Sequence, residues 1–446
     1  MRIKTLHLTN AYHPTSGGIR TFYHAMLDAA NREQRFMRLI VPGARTRVED
    51  VGLFGRIYHV RAPRAPFVDR RYRLLLPHTY LGPGSAIRRI LEREQPDVIE
   101  VCDKYSLCYL AGAIRKGWTA LYGRPTLIGL SCERLDDNLL TRAGEAAWAG
   151  TLARWYIGRL YAGQFDAHVA NSAYTADELH ASMTTKHARP VSIVPMGVET
   201  GDLGPARRCA DLRRELLQAC GGDDRTTLLL YAGRLSVEKN LPLLIDTMAS
   251  LADTASRTYR LIVAGDGPAA SALRASAAAR ADGRVAFIGH VADRDRLARL
   301  YATCDIFVHP NGREPFGIGP LEAMASGTPL VAPTTGGVRA YADADCAWLA
   351  EAHGAAFAEA VRCVDADGVE RDARVACART VAARFSWARV TREIFATYDA
   401  LHRARRTGAV RMASLASSRI ADVDRARSVS SVALTPSTGE AHPGSR

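Results

Sequence analysis

The sequence predicts two α/β domains, each built on a parallel β-sheet that helices cover on both faces. The chain has 446 residues, which exceeds the size of a typical single domain. Its composition, 47% hydrophobic and 24% charged, is ordinary for a globular protein. Short apolar runs alternate with helical segments along most of the chain. This alternation is typical of parallel sheets with crossover helices.

The first part of the chain, residues 1–196, contains repeated strand–helix units. Short β-rich apolar runs predict strands at residues 4–9, 37–41, 57–60, 97–101, 126–130 and 167–170. Apolar residues three and four positions apart predict helices at residues 18–31, 85–94, 106–116 and 146–163. We therefore interpret this part as an N-terminal Rossmann-like domain.

The alternation breaks after Met196, and we interpret the glycine-rich residues 197–224 as the boundary region. The alternation of strands and helices then resumes, which predicts a second Rossmann-like domain over residues 197–384. Its predicted strands and helices are 227–233, 241–252, 260–264, 285–288, 306–309, 320–326 and 329–332. Ligands of such sheets bind outside the carboxyl ends of the strands, here in the cleft between the domains.

The end of the chain divides into two segments. Residues 385–404 predict one amphipathic helix that contains Trp387, Phe395 and Tyr398. Residues 405–446 contain no aromatic residue and are rich in Ser, Arg, Thr, Pro and Gly. We predict that they form a disordered tail; a basic arm for anionic surfaces is the alternative interpretation.

Composition excludes several classes of protein. No run of about 18 apolar residues predicts a membrane-spanning helix, and the N-terminus lacks the apolar region of a signal peptide. The expected location is therefore the cytoplasm.

Nine scattered cysteines without a C-x-x-C pair argue against a disulfide framework and a zinc ribbon. The net charge of +13 favours anionic partners. Charge alone does not choose among nucleotides, anionic lipid and nucleic acid.

The most informative motif is EPFGIGPLE at residues 314–322, which follows a predicted strand. Gly317 permits close approach of a ligand to the backbone, and Pro320 predicts a helix with Glu322 in its first turn. Glu314 and Glu322 thus flank free backbone N–H groups. Such a site can hold hydroxyls with the carboxylates and a phosphate or sugar oxygen with the amides. A solvated loop with a glutamate that complements the helix dipole is the alternative.

A second motif places two cations at the end of predicted strand 227–233. Arg234 follows the strand directly, and Lys239 precedes the next helix. Two fixed cations at a strand–helix junction suit a diphosphate. The chain has only five lysines, so a lysine here is informative. Two solvated surface cations are the alternative interpretation.

Three more glycine turns follow predicted strands: Ser16-Gly17-Gly18, Gly265-Asp266-Gly267-Pro268 and Thr335-Gly336-Gly337. The second of them alone fits a dinucleotide fingerprint, but the next strand ends in Gly-His instead of the acid that would hold a ribose. A dehydrogenase is therefore disfavoured. All five turns follow strand ends, so a two-domain fold would bring them to one cleft.

With these motifs in this order, the sequence resembles the retaining glycosyltransferases of family 4, which have the GT-B fold. The resemblance covers most of residues 1–404. Glu314 and Glu322 match the family's E-x7-E motif, and the turns at 233–239, 265–268 and 336–338 match in order and spacing. The resemblance implies two Rossmann-like domains that face a central cleft: an acceptor domain over residues 1–196 and a nucleotide-sugar donor domain over residues 197–384. It also implies that the C-terminal helix crosses back to the N-terminal domain.

The resemblance implies a role for each motif in binding a nucleotide sugar. Arg234 and Lys239 would hold the diphosphate and stabilise the leaving nucleoside diphosphate. Glu314 would hold the sugar together with the amides of Phe316 and Gly317. The remaining donor-binding residues that it implies are Gly17, Gly18, Gly265, Asp266, Gly267 and, for the ribose hydroxyls, Glu322. The anomeric configuration would be retained, with no metal or other cofactor required.

One segment departs from the family pattern. The family usually has a histidine after the strand at 126–130, and Cys132 stands near that place. A thiol donates hydrogen bonds weakly, so it would hold a sugar hydroxyl less well. Glu133 is a candidate substitute, and a nucleophilic Cys132 is an alternative. Both residues are therefore candidates for the catalytic set.

The implied reaction is transfer of a hexosyl group from a UDP- or GDP-sugar to a glycan or lipid-linked acceptor. The alternatives are an inactive GT-B scaffold, a related phosphorylase or epimerase, and a basic protein that binds nucleic acid or membrane. Lys239 is the only lysine of the second domain, which leaves none for pyridoxal phosphate. A nucleic-acid partner is not expected, because no recognised binding module is present.

Residues 56–93 contain nine arginines interleaved with Tyr58, Phe67, Tyr72 and Tyr80. Basic residues with aromatics between them can lie on an anionic membrane. Peripheral contact with the inner membrane face is therefore a hypothesis for this region. A solvated loop in an arginine-rich protein is the alternative.

Overall fold

The computed structural model describes residues 3–13, 17–65, 72–117, 123–142, 146–184, 188–254 and 256–408. The strands in these residues form two sheets, one of eight strands and one of six. Neighbouring strands run parallel except for one antiparallel pair at the edge of the larger sheet. The predicted fold class, two parallel α/β units, is confirmed.

The larger sheet is built from the first half of the chain. Its strands, β1 to β8, are Thr5–Thr9, Met37–Gly43, Arg47–Val51, Gly55–Arg61, Val98–Cys102, Thr126–Ser131, Ala167–Ala170 and Val191–Ile193. Their order in the sheet is β3-β4-β2-β1-β5-β6-β7-β8. The central strands are buried along their whole length, because helices cover both faces of a parallel sheet.

Within the described ranges, six α-helices connect these strands. They are α1 to α6: Gly18–Arg32, Ala86–Glu94, Cys108–Arg115, Leu135–Arg142, Ala147–Tyr156 and Ala173–Ser182. Two of them, α4 and α5, lie in the connection from β6 to β7 and pack against each other.

The smaller sheet and its helices come from the second half. Strands β9 to β14 are Thr226–Ala232, Thr258–Ala264, Val285–Gly289, Ile306–Val308, Leu330–Pro333 and Trp348–Ala350, in the order β11-β10-β9-β12-β13-β14. Helices α7 to α13 are Ala210–Ala219, Pro242–Ser250, Ala270–Arg280, Arg294–Thr303, Ile318–Ser326, Gly354–Ala366 and Gly368–Ala383. A last helix, α14, runs over Trp387–Arg406.

Every strand predicted from sequence is present, with ends that agree within two residues. Sequence analysis missed β3, β8 and β14 among the strands. Two of these have only three residues, and β3 is an exposed, charged edge strand. Such strands lack the buried apolar run that predicts a strand. The region interpreted as a domain boundary also contains a helix, α7.

Helix α14 packs against the N-terminal half of the chain, on α1 and β6. Tyr398 donates a hydrogen bond of 2.5 Å to the buried carboxylate of Glu100 on β5, and Asp399 pairs with Arg35 at 2.5 Å. Before the helix, Val198 and Ser386 form a parallel bridge. The last helix therefore ties the two halves together.

The bridge before α14 depends on a glycine. A Cβ added at Gly197 would overlap the ring of Trp387, which is buried in the core. We expect Gly197→Ala to lower the free energy of unfolding by about 1–3 kcal/mol, because an overpacked core must shift its neighbours. Chemical denaturation measures this. The control is Gly163→Ala, where an added Cβ meets nothing within 4 Å. Equal stability of the two variants would contradict the packing argument.

No helix in the described ranges combines the length and hydropathy needed to cross a bilayer. Helix α14 extends through Arg406, two residues into the segment predicted as a tail. Residues 409–446 of that predicted tail lie outside the described residues.

Candidate active site

The carboxyl ends of β9, β10, β12 and β13 bring four of the predicted turns to one edge of the smaller sheet. Because β9 pairs with both β10 and β12, the loop after each strand lies beside the next. The Asn240 side chain donates to the Pro310 carbonyl at 3.1 Å, which joins the loop of Lys239 to the loop of Glu314. The expected convergence of these turns is therefore observed.

The glycines at 265 and 267 pack against the Arg234 loop. A Cβ on Gly265 would overlap the Gly233 carbonyl, and one on Gly267 would overlap the backbone of Leu235. The Leu235 amide donates to the carbonyl of Asp266 at 3.1 Å. These contacts explain the glycines by close packing of two turns. A direct contact of the 265–267 turn with a donor stays a prediction.

The turn at 336–337 supports the Glu314 loop in the same way. The Gly337 amide donates to the Glu314 carbonyl at 2.6 Å, and a Cβ on Gly337 would overlap the Pro315 carbonyl. Gly317 has a φ of +87°, a conformation that favours glycine. Its carbonyl accepts a hydrogen bond from Tyr341 at 2.5 Å. The loop between β12 and α11 is thus fixed by its neighbours.

Glu314 and Lys239 form an ion pair at this edge. The Lys239 ammonium lies 3.0 and 2.8 Å from the two carboxylate oxygens of Glu314, and Asn311 donates to the same carboxylate at 3.0 Å. Burial acts to raise the pKa of Glu314, but Lys239, His309 and these hydrogen bonds hold that pKa below its ordinary value. The carboxylate is therefore charged at neutral pH.

Glu322 lies on α11, and its position corrects a prediction. The helix begins at Ile318, so Pro320 does not open it and Glu322 falls in the second turn. Both carboxylate oxygens are occupied: Tyr301 donates at 2.9 Å and Arg294 at 3.1 Å. Burial raises the pKa of Glu322, which these two partners oppose. Since the Arg294 side chain is 55% exposed, it can move away when hydroxyls bind.

The larger sheet contributes the opposite wall of the site. Tyr72 places its ring 5.3 Å from the Arg234 guanidinium. Ser172 donates to the Pro315 carbonyl at 2.6 Å. A Cβ on Gly18 would lie 3.7 Å from the Ile318 side chain, so the amino ends of α1 and α11 meet. Gly17 caps α1, while Ser16 lies outside the described residues.

Cys132 and Glu133 follow β6 on the same wall. Cys132 is partly exposed and contacts buried Cys102, whose pKa is raised by the hydrogen bond to Cys132 and by burial. Glu133 accepts a hydrogen bond from Asn138 at 3.0 Å. Burial raises the pKa of Glu133, although Lys104 and Asn138 act against it. Roles for these two residues in catalysis stay predictions.

Two family models match the chain, "Glycosyltransferase Family 4" over residues 16–202 and "Glycosyl transferases group 1" over residues 226–367. The chain is 32% identical over 412 residues to the GDP-mannose-dependent alpha-(1-6)-phosphatidylinositol dimannoside mannosyltransferase of Mycobacterium tuberculosis. That alignment covers 91% of this chain and 98% of the relative. The chain belongs to glycosyltransferase family 4. It is an enzyme that transfers a glycosyl group from a nucleotide sugar.

Two further comparisons place this glycosyltransferase. It is 26% identical over 340 residues to the GDP-mannose-dependent alpha-mannosyltransferase of Corynebacterium glutamicum, covering 74% of this chain and 72% of the relative. The structure of sucrose-phosphate synthase from Thermosynechococcus elongatus superimposes with a TM-score of 0.72 at 17% identity, covering 90% of this chain and 100% of that chain. The likeness to that structure shows the GT-B fold.

The glycosyltransferase site contains residues that sequence analysis missed: Tyr72, Ser172, Arg294, Tyr301 and Asn311. Only Asn311 carried a local signal, because it lies three positions before Glu314 in the same loop. The others come from distant segments, and only the fold shows that they meet. Among the described residues, no three His, Cys, Asp or Glu side chains form a metal-binding group; independence from metal stays a prediction.

Proposed function

We propose that the enzyme is a retaining mannosyltransferase that uses GDP-mannose and a lipid-linked glycan acceptor. The relative that aligns over nearly its whole length is named as GDP-mannose-dependent and as acting on a phosphatidylinositol mannoside. The Corynebacterium relative is also named as GDP-mannose-dependent. A lipid-linked acceptor remains in its bilayer, so the proposal includes a peripheral location at the inner membrane face.

The observation that carries the proposal is the group formed by Arg234, Lys239 and Glu314 at the edge of the smaller sheet. Lys239 is held by Glu314, and Arg234 lies in the same loop after β9, beside Tyr72. When a diphosphate enters here, its oxygens replace the Glu314 carboxylate as the partner of Lys239. The carboxylate is then available to accept sugar hydroxyls.

In the proposed reaction the bond between the anomeric carbon and the diphosphate oxygen breaks, and GDP leaves. Arg234 and Lys239 stabilise the charge that develops on that oxygen, which is the main electrostatic contribution to such a step. The acceptor hydroxyl bonds to the anomeric carbon from the face that GDP leaves, so the configuration is retained. Its proton passes to the departing diphosphate.

The test is release of GDP or UDP from a panel of GDP-mannose, GDP-glucose, UDP-glucose and UDP-galactose, with detergent-dispersed phosphatidylinositol mannoside as acceptor. We expect GDP release from GDP-mannose, with an α-linked product by NMR. Glu314→Ala should lose this activity. Its matched control is Glu359→Ala, which removes an exposed glutamate that pairs with Arg362 on α12 and should leave activity at the wild-type level. Turnover of UDP-sugars alone, or a β-linked product, would overturn the proposal.

A further inference from the structure

Helix α5 carries large apolar side chains on its outer surface. Trp148, Leu152 and Trp155 are 60, 45 and 53% exposed. Their spacing of four and three residues places them on one face of the helix. The opposite face is also apolar, because Ala149 and Ala153 are buried. The outer face, which we call the α5 surface, is thus not needed to hold the helix in place.

Two tyrosines of the neighbouring segment extend this region toward the site. Tyr109 is 38% exposed, and its hydroxyl lies 3.2 Å from the hydroxyl of Tyr156, the last residue of α5. Tyr105 is 50% exposed and accepts a hydrogen bond of 3.1 Å from Asn138 on α4. Exposed aromatic residues that cluster in this way mark an interaction surface.

The same Asn138 links Tyr105 to the acceptor side of the cleft. Its amide donates both to Tyr105 and, at 3.0 Å, to the carboxylate of Glu133. Glu133 follows β6 at the carboxyl edge of the larger sheet. Asn138 therefore joins Tyr105 to the cleft wall, and α4, which carries Asn138, packs against α5. A molecule with a polar head in the cleft and an apolar tail can contact both.

The charges around α5 favour an anionic partner. Arg154 and Arg159 are exposed beside the α5 surface. Among the described residues, neither forms an ion pair. The whole chain has a net charge of +13. Tryptophan side chains prefer the boundary between the headgroups and the acyl chains of a bilayer, and nearby arginines attract anionic lipid.

We infer that the α5 surface docks the enzyme on an anionic lipid bilayer, with Trp148, Leu152 and Trp155 inserted at the interface. The inference rests on the proposed function, because a lipid-linked acceptor gives the contact its purpose. Docking there presents the acceptor side of the cleft to the bilayer. The acceptor head then reaches Glu133 and the donor site while its lipid chains stay in the membrane.

This surface differs from the region for which sequence analysis raised membrane contact as a hypothesis. In residues 56–93, Tyr58 and Tyr80 are buried and hydrogen-bonded to Glu94 and to the Ser106 carbonyl. Tyr72 lies against Arg234 inside the cleft. The described tyrosines of that region are therefore not presented to a bilayer, while Phe67 lies outside the described residues. A surface of interleaved arginines and these tyrosines is not formed.

The test is flotation of the full chain with vesicles of phosphatidylcholine, alone or with roughly one-third phosphatidylglycerol. The double variant Trp148→Ser/Trp155→Ser should bind the anionic vesicles at least about tenfold more weakly than wild type. The matched control is Leu53→Ser/Val369→Ser, which removes side chains that are 90 and 83% exposed elsewhere. It should bind like wild type. Arg154→Gln/Arg159→Gln should lose the preference for anionic vesicles.

Three more measurements separate this inference from the alternatives. Thermal unfolding of the tryptophan variant should match wild type, and wild-type tryptophan emission should shift to shorter wavelength on vesicle binding. Release of GDP from GDP-mannose in detergent should be unchanged in the variant. If GDP-mannose is not a donor but the vesicle result holds, only the proposed function fails. Unaltered vesicle binding of the variant, or a wild-type dimer in solution that the variant abolishes, would overturn the inference.

Discussion

Replacing Lys239 by methionine is expected to lower kcat/KM for the nucleotide sugar by about 10²–10³, the usual loss when one stabilising donor is removed from a developing oxyanion. The variant removes the partner of the Glu314 carboxylate and one of the two cations that we propose bind the diphosphate. Methionine keeps the length of the side chain, so little packing is lost. Steady-state release of nucleoside diphosphate measures the effect.

Lys116→Met is the matched control, because Lys116 is an exposed lysine at the end of α3. Its kcat/KM should equal wild type. Lys239→Arg should retain part of the activity, since it keeps a cation with different geometry. A Lys239→Met enzyme within threefold of wild type would show that the diphosphate is bound elsewhere.

Replacing Lys104 by methionine is expected to cost about 3–5 kcal/mol of stability, the usual cost of breaking a buried ion pair from one side. Its ammonium is 1% exposed and lies 2.5 Å from a carboxylate oxygen of Glu178. It also donates to the Glu133 carbonyl. Without it, Glu178 retains a buried charge that only backbone amides stabilise.

Glu178 also binds the backbone at the start of α4. Its other oxygen accepts from the amides of Leu135 and Asp136 at 2.5 and 3.0 Å, which fixes the first turn of α4 and the loop of Cys132. Urea denaturation of Lys104→Met, Lys104→Met/Glu178→Gln and Lys116→Met measures the cost. The double variant should recover part of the loss, because the amide is neutral. Stability of Lys104→Met within 1 kcal/mol of wild type would contradict a charged pair.

The sequence predicted the fold well where each element carries its own signal. Strands β2, β9 and β10 contain the uninterrupted apolar runs 39–41, 228–232 and 261–264, which both faces of a parallel sheet require, so their positions follow from local composition. Strand β14 and helix α9 lack such a signal. The strand has three residues, and the helix is mostly alanine with little contrast between its faces.

The candidate site was predictable as a set of residues and not as a set of contacts. Glu314 and Lys239 were each recognised from their motifs, but they lie 75 residues apart. Their pairing follows from the adjacency of β9 and β12. The Lys104–Glu178 pair spans 74 residues and has no motif at either end. Partners of this kind appear only when the topology is known.

The central claim is that Arg234 and Lys239 bind the diphosphate of the donor while Glu322 binds its ribose. The most direct measurement is a crystal structure of the enzyme with GDP. The account predicts the β-phosphate within hydrogen-bond distance of both cations, with the Lys239–Glu314 pair opened and the ribose hydroxyls in the place of Arg294 on Glu322. GDP bound with that pair intact, or at another place in the cleft, would contradict it.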